Sequence, residues 1–339
     1  MRGWAAFRLD LWPMRIRAVA AVSCLLIASA CTPNLPATST SPQVAPSPTP
    51  TLTIVPTSTP VPDNQFPISY PIADSLTAGD AGDIVARLHE VSGGLPVLKV
   101  DLTTKQATLT ALQPDKGVAS YRWENGEITK VDSDIQYLDQ KTFDPSQYPI
   151  DSLGRMFDIA DLRGVRGELV LQIVEYREGQ VVMTVTSRPE SKTVFFNKDG
   201  TAVASLGLTS VADLTAGVGE VVGDATEVYS VTLSPTLGYS ADLPDADKGV
   251  VLNRTRPAEM PVFETRRTEN PSVAPFNPAL IQPAGLAKAI SKFQKTPDEA
   301  CTVTVDMSLK RSAPVAKVDC GGSVHYADMD GRDMTDLVG

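Results

Sequence analysis

The sequence predicts an α+β fold in which one unit of helix, four strands, helix and three strands occurs twice in tandem, with antiparallel sheets. Two observations carry this prediction. Short motifs recur in the same order at nearly constant spacing, and apolar residues follow helical or strand periodicity between glycine- and proline-marked turns. Of the 339 residues, 42% are hydrophobic, which suffices for cores of this kind.

The recurrence consists of four motif pairs spaced 131 to 133 residues apart. The pairs are residues 97–102 with 228–233, 115–118 with 247–250, 143–145 with 276–278, and 199–200 with 330–331. One such match is weak, but four in the same order predict a tandem duplication. We therefore place one α+β repeat at residues 68–206 and a second at residues 207–339.

The chain begins with the features of an export signal. Arg15 and Arg17 precede an uncharged run, residues 18–30, that is too short for the roughly 20 residues of a spanning helix. The run ends in Ile27-Ala28-Ser29-Ala30-Cys31, which resembles the lipobox of bacterial, actinobacterial-type exported lipoproteins.

The resemblance implies cleavage of a signal peptide, residues 1–30, and lipid such as palmitate on Cys31. Ordinary secretion with cleavage after Ala30 is the alternative, and either Met1 or Met14 could be the true start. Several acyl chains on one cysteine would suffice for stable anchoring. The expected location is extracytoplasmic, with the lipid on Cys31 holding the chain to the cell membrane.

Residues 31–67 form the predicted tether. Its segment 32–62 carries no charge and consists mainly of Pro, Ser and Thr, so it cannot bury a core. We expect a disordered, partly polyproline II spacer between the membrane and the repeats.

The first repeat begins with a helix over residues 83–91, because its apolar residues recur at helical spacing. Strands are predicted at 97–102, 106–112, 118–123 and 127–131, a helix at 152–162, and strands at 168–176, 180–187 and 192–197. Asn125-Gly126 marks a hairpin turn between the third and fourth strands.

The second repeat begins with a poorer helix over 213–222, because Gly217 and Gly219 interrupt it. Strands are predicted at 227–233, 237–243, 249–255 and 260–266, a helix at 283–293, and strands at 300–308, 314–320 and 323–327. Pro283 stands at the tolerated first position of its helix.

Cys301 and Cys320 are expected to form a cross-strand disulfide. They are equidistant from the turn near Lys310, and an exported chain meets no reducing buffer. The equivalent positions of the first repeat are Leu169 and about Ser187, so the bridge is local to the second repeat. A metal or redox pair is disfavoured because no CxxC motif is present.

The sequence offers few other candidates for catalytic or metal-binding residues. Only two histidines occur, His89 and His325, and no GxSxG motif accompanies them, so the sequence predicts neither a His-based zinc site nor a catalytic triad. Two acidic clusters and a stretch resembling a calcium loop are interpreted as turns and solvated strand ends. These are Asp132, Asp134 and Asp139; Asp242, Asp245 and Asp247; and residues 328–333.

The aromatic pair Tyr121 and Trp123 alternates with polar residues on a predicted strand, which indicates either a core face or an exposed binding face. The net charge of −10 argues against a nucleic-acid partner. No cofactor and no catalytic residue are predicted.

The paired helix-plus-meander units resemble the PepSY-like and β-lactamase-inhibitor-like group over residues 68–339. That resemblance implies a protein-binding or inhibitory module and not an enzyme. The sequence thus favours a non-catalytic binding module with an envelope protein or wall polymer as partner. A carrier of lipid or another lipophilic ligand, and an exported hydrolase, are the alternatives.

Overall fold

The computed structural model describes residues 59–177 and 179–338. The predicted signal peptide, Cys31 and most of the predicted tether lie outside these residues. Within the described residues, no helix has the length and apolar character needed to cross a membrane. All of them belong to one compact unit.

Four α-helices and fifteen strands are present among the described residues, together with short 3-10 helices. The helices are α1 (Ala81–Val91), α2 (Leu153–Leu162), α3 (Val211–Val222) and α4 (Pro283–Phe293). The strands are β1 (Ile68–Ser69), β2 (Val97–Leu102), β3 (Gln106–Leu112), β4 (Val118–Glu124), β5 (Glu127–Val131), β6 (Glu168–Arg177), β7 (Gln180–Arg188), β8 (Val194–Phe196), β9 (Ser230–Ser234), β10 (Gly238–Pro244), β11 (Val250–Arg256), β12 (Phe263–Thr268), β13 (Cys301–Asp306), β14 (Val315–Cys320) and β15 (Ser323–Ala327).

The strands form two antiparallel sheets, and this confirms the α+β class with a repeated unit. The first sheet has the order β1-β5-β4-β3-β2-β6-β7-β8, and the second has the order β12-β11-β10-β9-β13-β14-β15. Apart from β1, the two orders are the same when each strand is replaced by its counterpart seven strands later. The helices also fall at equivalent places, since α1 and α3 precede the meanders and α2 and α4 precede the last three strands.

Local contacts repeat as well. An isolated bridge joins Val97 to Phe143 in the first half, and another joins Val228 to Phe276 in the second. The residue after each phenylalanine then caps a 3-10 helix, because its side chain accepts a hydrogen bond from the backbone two residues on. The motifs that aligned the two halves in sequence therefore occupy the same structural position.

Each sheet buries one face beneath its own pair of helices. In the first sheet, side chains alternate along β3 and β4, so Leu109 and Tyr121 enter the core while Thr108 and Arg122 face the other way. The second core is built in the same manner around Leu233 on β9. We call the face of the first sheet away from its helices the outer face.

The N-terminal edge of the first sheet differs from the sequence-based expectation. The described chain contacts the first core before residue 68, because Val61 and Phe66 pack against it. Strand β1 then pairs with β5 and covers its edge, with Ile68 opposite Ile128. In the second sheet β12 occupies the position of β5 and ends the sheet.

The connection between the halves is held by buried polar contacts. Arg256 is 1% exposed and donates to the carbonyl oxygen of Ala204 at 2.8 Å and to Glu220 at 2.6 Å. The Tyr239 hydroxyl donates to the carbonyl oxygen of Gly207. These contacts fix the connecting segment to the second half, on the face of its sheet that the helices cover.

Candidate functional site

The predicted disulfide is present. Cys301 and Cys320 lie directly opposite each other on β13 and β14, with their Cα atoms 4.2 Å apart and their sulfurs joined. The register of the first sheet places Leu169 opposite Ser187, as the repeat alignment predicts. The bridge therefore reinforces one hairpin and has no counterpart in the other half. The predicted lipid site, Cys31, lies outside the described residues.

The two histidines lie in different halves and have structural contacts. His89 Nε2 lies 3.0 Å from the carbonyl oxygen of Leu95, just after α1. The His325 ring stacks on Phe293 with a centroid distance of 4.4 Å. Neither contact is with a serine, a cysteine or a carboxylate.

Members of the acidic clusters take part in ion pairs and turns, and Asp132 and Asp134 also line one small pocket of the first half. Asp134 pairs with Lys99 at 2.6 Å, and Asp242 forms two hydrogen bonds with Arg267 at 2.8 and 2.9 Å. The Asp328 carboxylate accepts hydrogen bonds from its own turn, namely the N–H groups of Asp330 and Arg332. Among the described residues no group of three or more His, Cys, Asp or Glu side chains could hold a metal ion.

The aromatic stripe on β4 belongs to the core. Tyr121 is 1% exposed and Trp123 is 5% exposed. The Trp123 indole donates to the carbonyl oxygen of Tyr70 at 2.8 Å, which ties the segment after β1 to the sheet. These rings are therefore not available as a binding face.

A surface cleft of about 790 Å³ opens at one end of the first half. It is bounded by the end of α1 and the loop after it, the segment before α2, the β6–β7 hairpin and the end of β8. A single residue of the second half, Pro261, also lines it. The lining comprises residues 89, 94–96, 141–144, 147–148, 179–183, 196–198 and 261.

Aromatic rings and flexible polar groups share this cleft. Phe143 and Tyr148 meet edge to face at 5.3 Å, and the Lys198 ammonium lies 5.9 Å from the Tyr148 ring centre. Gln147 and Asn197 are exposed at its rim. Such a mixture of ring edges, amides and an ammonium group suits recognition of a polar chain with apolar faces.

Two titratable groups of the cleft have shifted pKa values. Hydrogen bonds from the side chain and backbone of Ser146 hold the pKa of Asp144 below its ordinary value, so this carboxylate stays ionised. Burial raises the pKa of the Tyr148 hydroxyl, so it stays protonated.

This cleft is not predicted from the sequence. Its residues come from separate loops whose approach depends on the meander and the last hairpin being in place. The one local signal was the Phe143-Asp144-Pro145 motif, which indicated structural equivalence between the halves and carried no information about binding.

No known protein-family model and no curated protein matches the chain. Among solved structures, similarity is found to the DNA polymerase III subunit beta from Pseudomonas aeruginosa, with 11% identity, a TM-score of 0.13, and coverage of 75% of this chain and 63% of that chain. The DNA polymerase III beta chain from Streptococcus pneumoniae gives 12% identity, a TM-score of 0.14, and coverage of 70% and 57%. The chain thus spans less than two thirds of these two proteins.

A third similar structure is the H. pylori beta clamp in complex with 5-chloroisatin. It gives 10% identity and a TM-score of 0.13, with coverage of 74% of this chain and 67% of that chain. At such TM-scores these similarities carry no argument about fold or function.

Proposed function

We propose that this protein is a non-catalytic binding module of the cell envelope, displayed outside the membrane on a flexible tether and anchored by lipid on Cys31. In this proposal its partner, an envelope protein or wall polymer, is bound in the cleft of the first half. The cleft is the observation that carries the proposal, because it combines an accessible volume of about 790 Å³ with aromatic and amide groups.

The alternatives have less support. A lipid carrier needs an enclosed apolar cavity, whereas the cleft has charged residues such as Lys141, Lys198 and Asp144 in its lining. A hydrolase needs a nucleophile or a pair of carboxylates converging on one point, and Asp144 is the single carboxylate among the described residues that line the cleft.

Binding in the cleft can be tested by affinity capture with the full chain immobilised and exposed to detergent-solubilised envelope. The variant Gln147→Ala/Lys198→Ala removes two exposed side chains from the cleft without touching the core. The control Lys248→Ala/Gln282→Ala makes the same two changes at exposed positions of the second half. Mass spectrometry then identifies proteins, polymer fragments and lipids in the eluates.

We expect a protein or polymer that the wild type and the control retain and that the cleft variant loses. Equal retention by all three chains would contradict binding in the cleft. Lipid without any protein or polymer would replace the binding module with a carrier.

Anchoring is tested separately with Cys31→Ser. We expect this variant to lose the acyl mass on its N-terminus and to leave the membrane fraction, because the lipid and not the acidic chain provides membrane affinity. The control Cys24→Ser changes a cysteine inside the predicted signal and should remain acylated. Membrane retention of an unacylated Cys31→Ser chain would contradict the proposed anchor.

A further inference from the structure

A second, smaller cavity lies on the outer face of the first sheet. The register aligns Asp101, Thr108 and Arg122 across β2, β3 and β4, on the side away from the helices. Together with Asp132, Arg188 and other polar residues they line a pocket of about 230 Å³, which we call the outer pocket. No apolar side chain of the described residues lines it.

One side of the outer pocket is held in place by a single ammonium group that lies between two carboxylates. Lys99 is 8% exposed, and its ammonium lies 2.9 Å from Asp101 and 2.6 Å from Asp134. Asp101 also accepts a hydrogen bond from Gln172 at 2.8 Å. These contacts fix the Asp101 carboxylate in the floor of the pocket.

The two arginines of the outer pocket are unpaired. Among the described residues, the guanidinium groups of Arg122 and Arg188 have no hydrogen-bond or ion-pair partner, and Arg122 Nε is buried without one. The Asp132 carboxylate, at the exposed rim, is likewise unpaired within the described chain. Arg122 is half-buried, so its unpartnered guanidinium forgoes hydrogen bonds to water and favours a ligand that supplies an acceptor, whereas Arg188 lies exposed at the rim.

The charges of the outer pocket balance. Asp101, Asp132 and Asp134 are offset by Lys99, Arg122 and Arg188. A simple anion would meet the rim carboxylate, and a metal cation would meet two guanidinium groups. A sugar usually rests on an apolar or aromatic side chain, which this lining lacks among the residues that the structure describes.

We propose that the outer pocket binds a small zwitterion, a free α-amino acid or a dipeptide, with its carboxylate on Arg122 and Arg188 and its ammonium group on Asp132. Each charged group of such a ligand meets a group of opposite charge that has no partner among the described residues. This site is separate from the cleft and does not depend on the function proposed for it.

The second half does not repeat the outer pocket. The row equivalent to Asp101, Thr108 and Arg122 consists of Thr232, Ser240 and Thr255. The charged groups are therefore particular to the first half and are not required by the repeated fold.

The proposal is tested by isothermal titration calorimetry of the full chain with glycine, L-alanine and glycylglycine. Acetate and ethylammonium serve as probes that carry only one of the two charges. We expect binding of at least one zwitterion, and much weaker binding of acetate or ethylammonium alone. Absence of binding by all three zwitterions at millimolar concentration would overturn the proposal, as would equally strong binding of acetate.

Variants locate the binding site. Arg122→Gln should weaken zwitterion binding by about ten- to a hundredfold, the loss typical of a charge-assisted hydrogen bond. The matched control Arg87→Gln changes an arginine on α1, beneath the other face of the sheet, whose Nε is also buried without a partner. It should bind as the wild type does.

If Arg122→Gln fails to fold, Asp132→Asn provides an independent test at an exposed rim position. We expect Asp132→Asn to weaken zwitterion binding more than acetate binding, because only the zwitterion carries an ammonium group. Unchanged affinity in Asp132→Asn, or a loss in Arg87→Gln equal to that in Arg122→Gln, would overturn the assignment.

Discussion

Arg256 shows how a single side chain can join distant parts of this chain. It is almost fully buried, and its guanidinium reaches Glu220 on α3, the carbonyl oxygen of Ala204 in the connecting segment, and that of Pro257. A buried charge is tolerated only when such partners satisfy its donors. The connecting segment is therefore a structural part of the second half.

We predict that Arg256→Met lowers the free energy of unfolding by about 3 kcal/mol, because it leaves two carbonyl groups and Glu220 without their donor. The control Arg332→Met removes a 71% exposed arginine whose nitrogen lies 3.7 Å from Asp328 and 3.3 Å from Asp330, and should cost less than about 1 kcal/mol. Denaturant unfolding of both variants measures the difference. Similar losses in the two would contradict the role given to Arg256.

The partner of a residue could be predicted from the sequence where the two residues lie on neighbouring strands joined by one turn. The pairing of Cys301 with Cys320 follows from their equal distance from one turn, and the structure contains that bridge. The partners of Arg256 could not be predicted in this way, because they come from segments that meet only after both sheets have formed. Arg122 was missed for the same reason, since its neighbour Asp101 lies two strands away.

Helix α3 illustrates an apparent conflict between propensity and packing. Gly217 and Gly219 make it a poor helix by sequence, yet it runs for 12 residues. A Cβ atom at Gly217 would fall inside the van der Waals contact of the Tyr239 ring, whereas one at Gly219 would meet nothing within 4 Å. Gly217 is thus required by the close approach of helix and sheet.

We predict opposite effects for the two glycines. Gly217→Ala should destabilise the protein by about 1–3 kcal/mol through overpacking against Tyr239. Gly219→Ala should stabilise it by about 0.5–1 kcal/mol through helix propensity, since the position is exposed. Thermal and denaturant unfolding measure both, and stabilisation by Gly217→Ala would contradict the packing described for α3.

The β13–β14 hairpin is cross-linked, whereas its counterpart β6–β7 is not. We predict that Cys301→Ala/Cys320→Ala lowers the free energy of unfolding by about 3 kcal/mol, the chain-entropy value for a loop of this length. Reductant should destabilise the wild type and leave the double variant unchanged. A reductant effect of equal size in both proteins would mean that the bridge is not its cause.

At the level of elements, the strongly patterned segments were predicted closely. Helix α4 and strand β15 begin and end where the apolar pattern indicated. Strand β1 was not predicted, because it has two residues and lies between prolines. Its pairing with β5 depends on tertiary contact, and two residues are too few to show a periodicity.

At the scale of the whole molecule, the ion pair of Asp242 with Arg267 makes the stability of the fold depend on pH. Burial alone would raise the pKa of Asp242, but hydrogen bonds from Arg267 and Asn253 outweigh it and hold the pKa below its ordinary value. A lowered carboxyl pKa stabilises the folded state above the unfolded pKa, near about 4. That contribution is lost as the pH falls through the folded value.

We predict that Asp242→Asn is less stable than the wild type at neutral pH, and that the difference shrinks as the pH falls below about 4. The control Asp298→Asn removes the same charge at an exposed position and should change stability little at any pH. Urea unfolding as a function of pH measures both. A difference for Asp242→Asn that grows in acid would mean that the ionised Asp242 carboxylate does not stabilise the fold.

The overall architecture could be predicted because it occurs twice in the chain, so each half supports the interpretation of the other. The proposed binding surfaces could not be predicted in this way, because a duplication keeps the order of helices and strands but not the side chains on the surface. All described lining residues of the outer pocket belong to the first half, and those of the cleft do so except Pro261. The row equivalent to Asp101, Thr108 and Arg122 is uncharged in the second half.

The most direct test of the proposed function is photo-crosslinking in intact cells, with a photoreactive residue placed at Gln147 in the cleft or at Lys248 in the second half. We expect the probe at position 147 to be joined to an extracytoplasmic envelope component and the probe at position 248 not to be. Crosslinks to cytoplasmic proteins alone, or identical adducts from both positions, would contradict an extracytoplasmic binding module that works through this cleft.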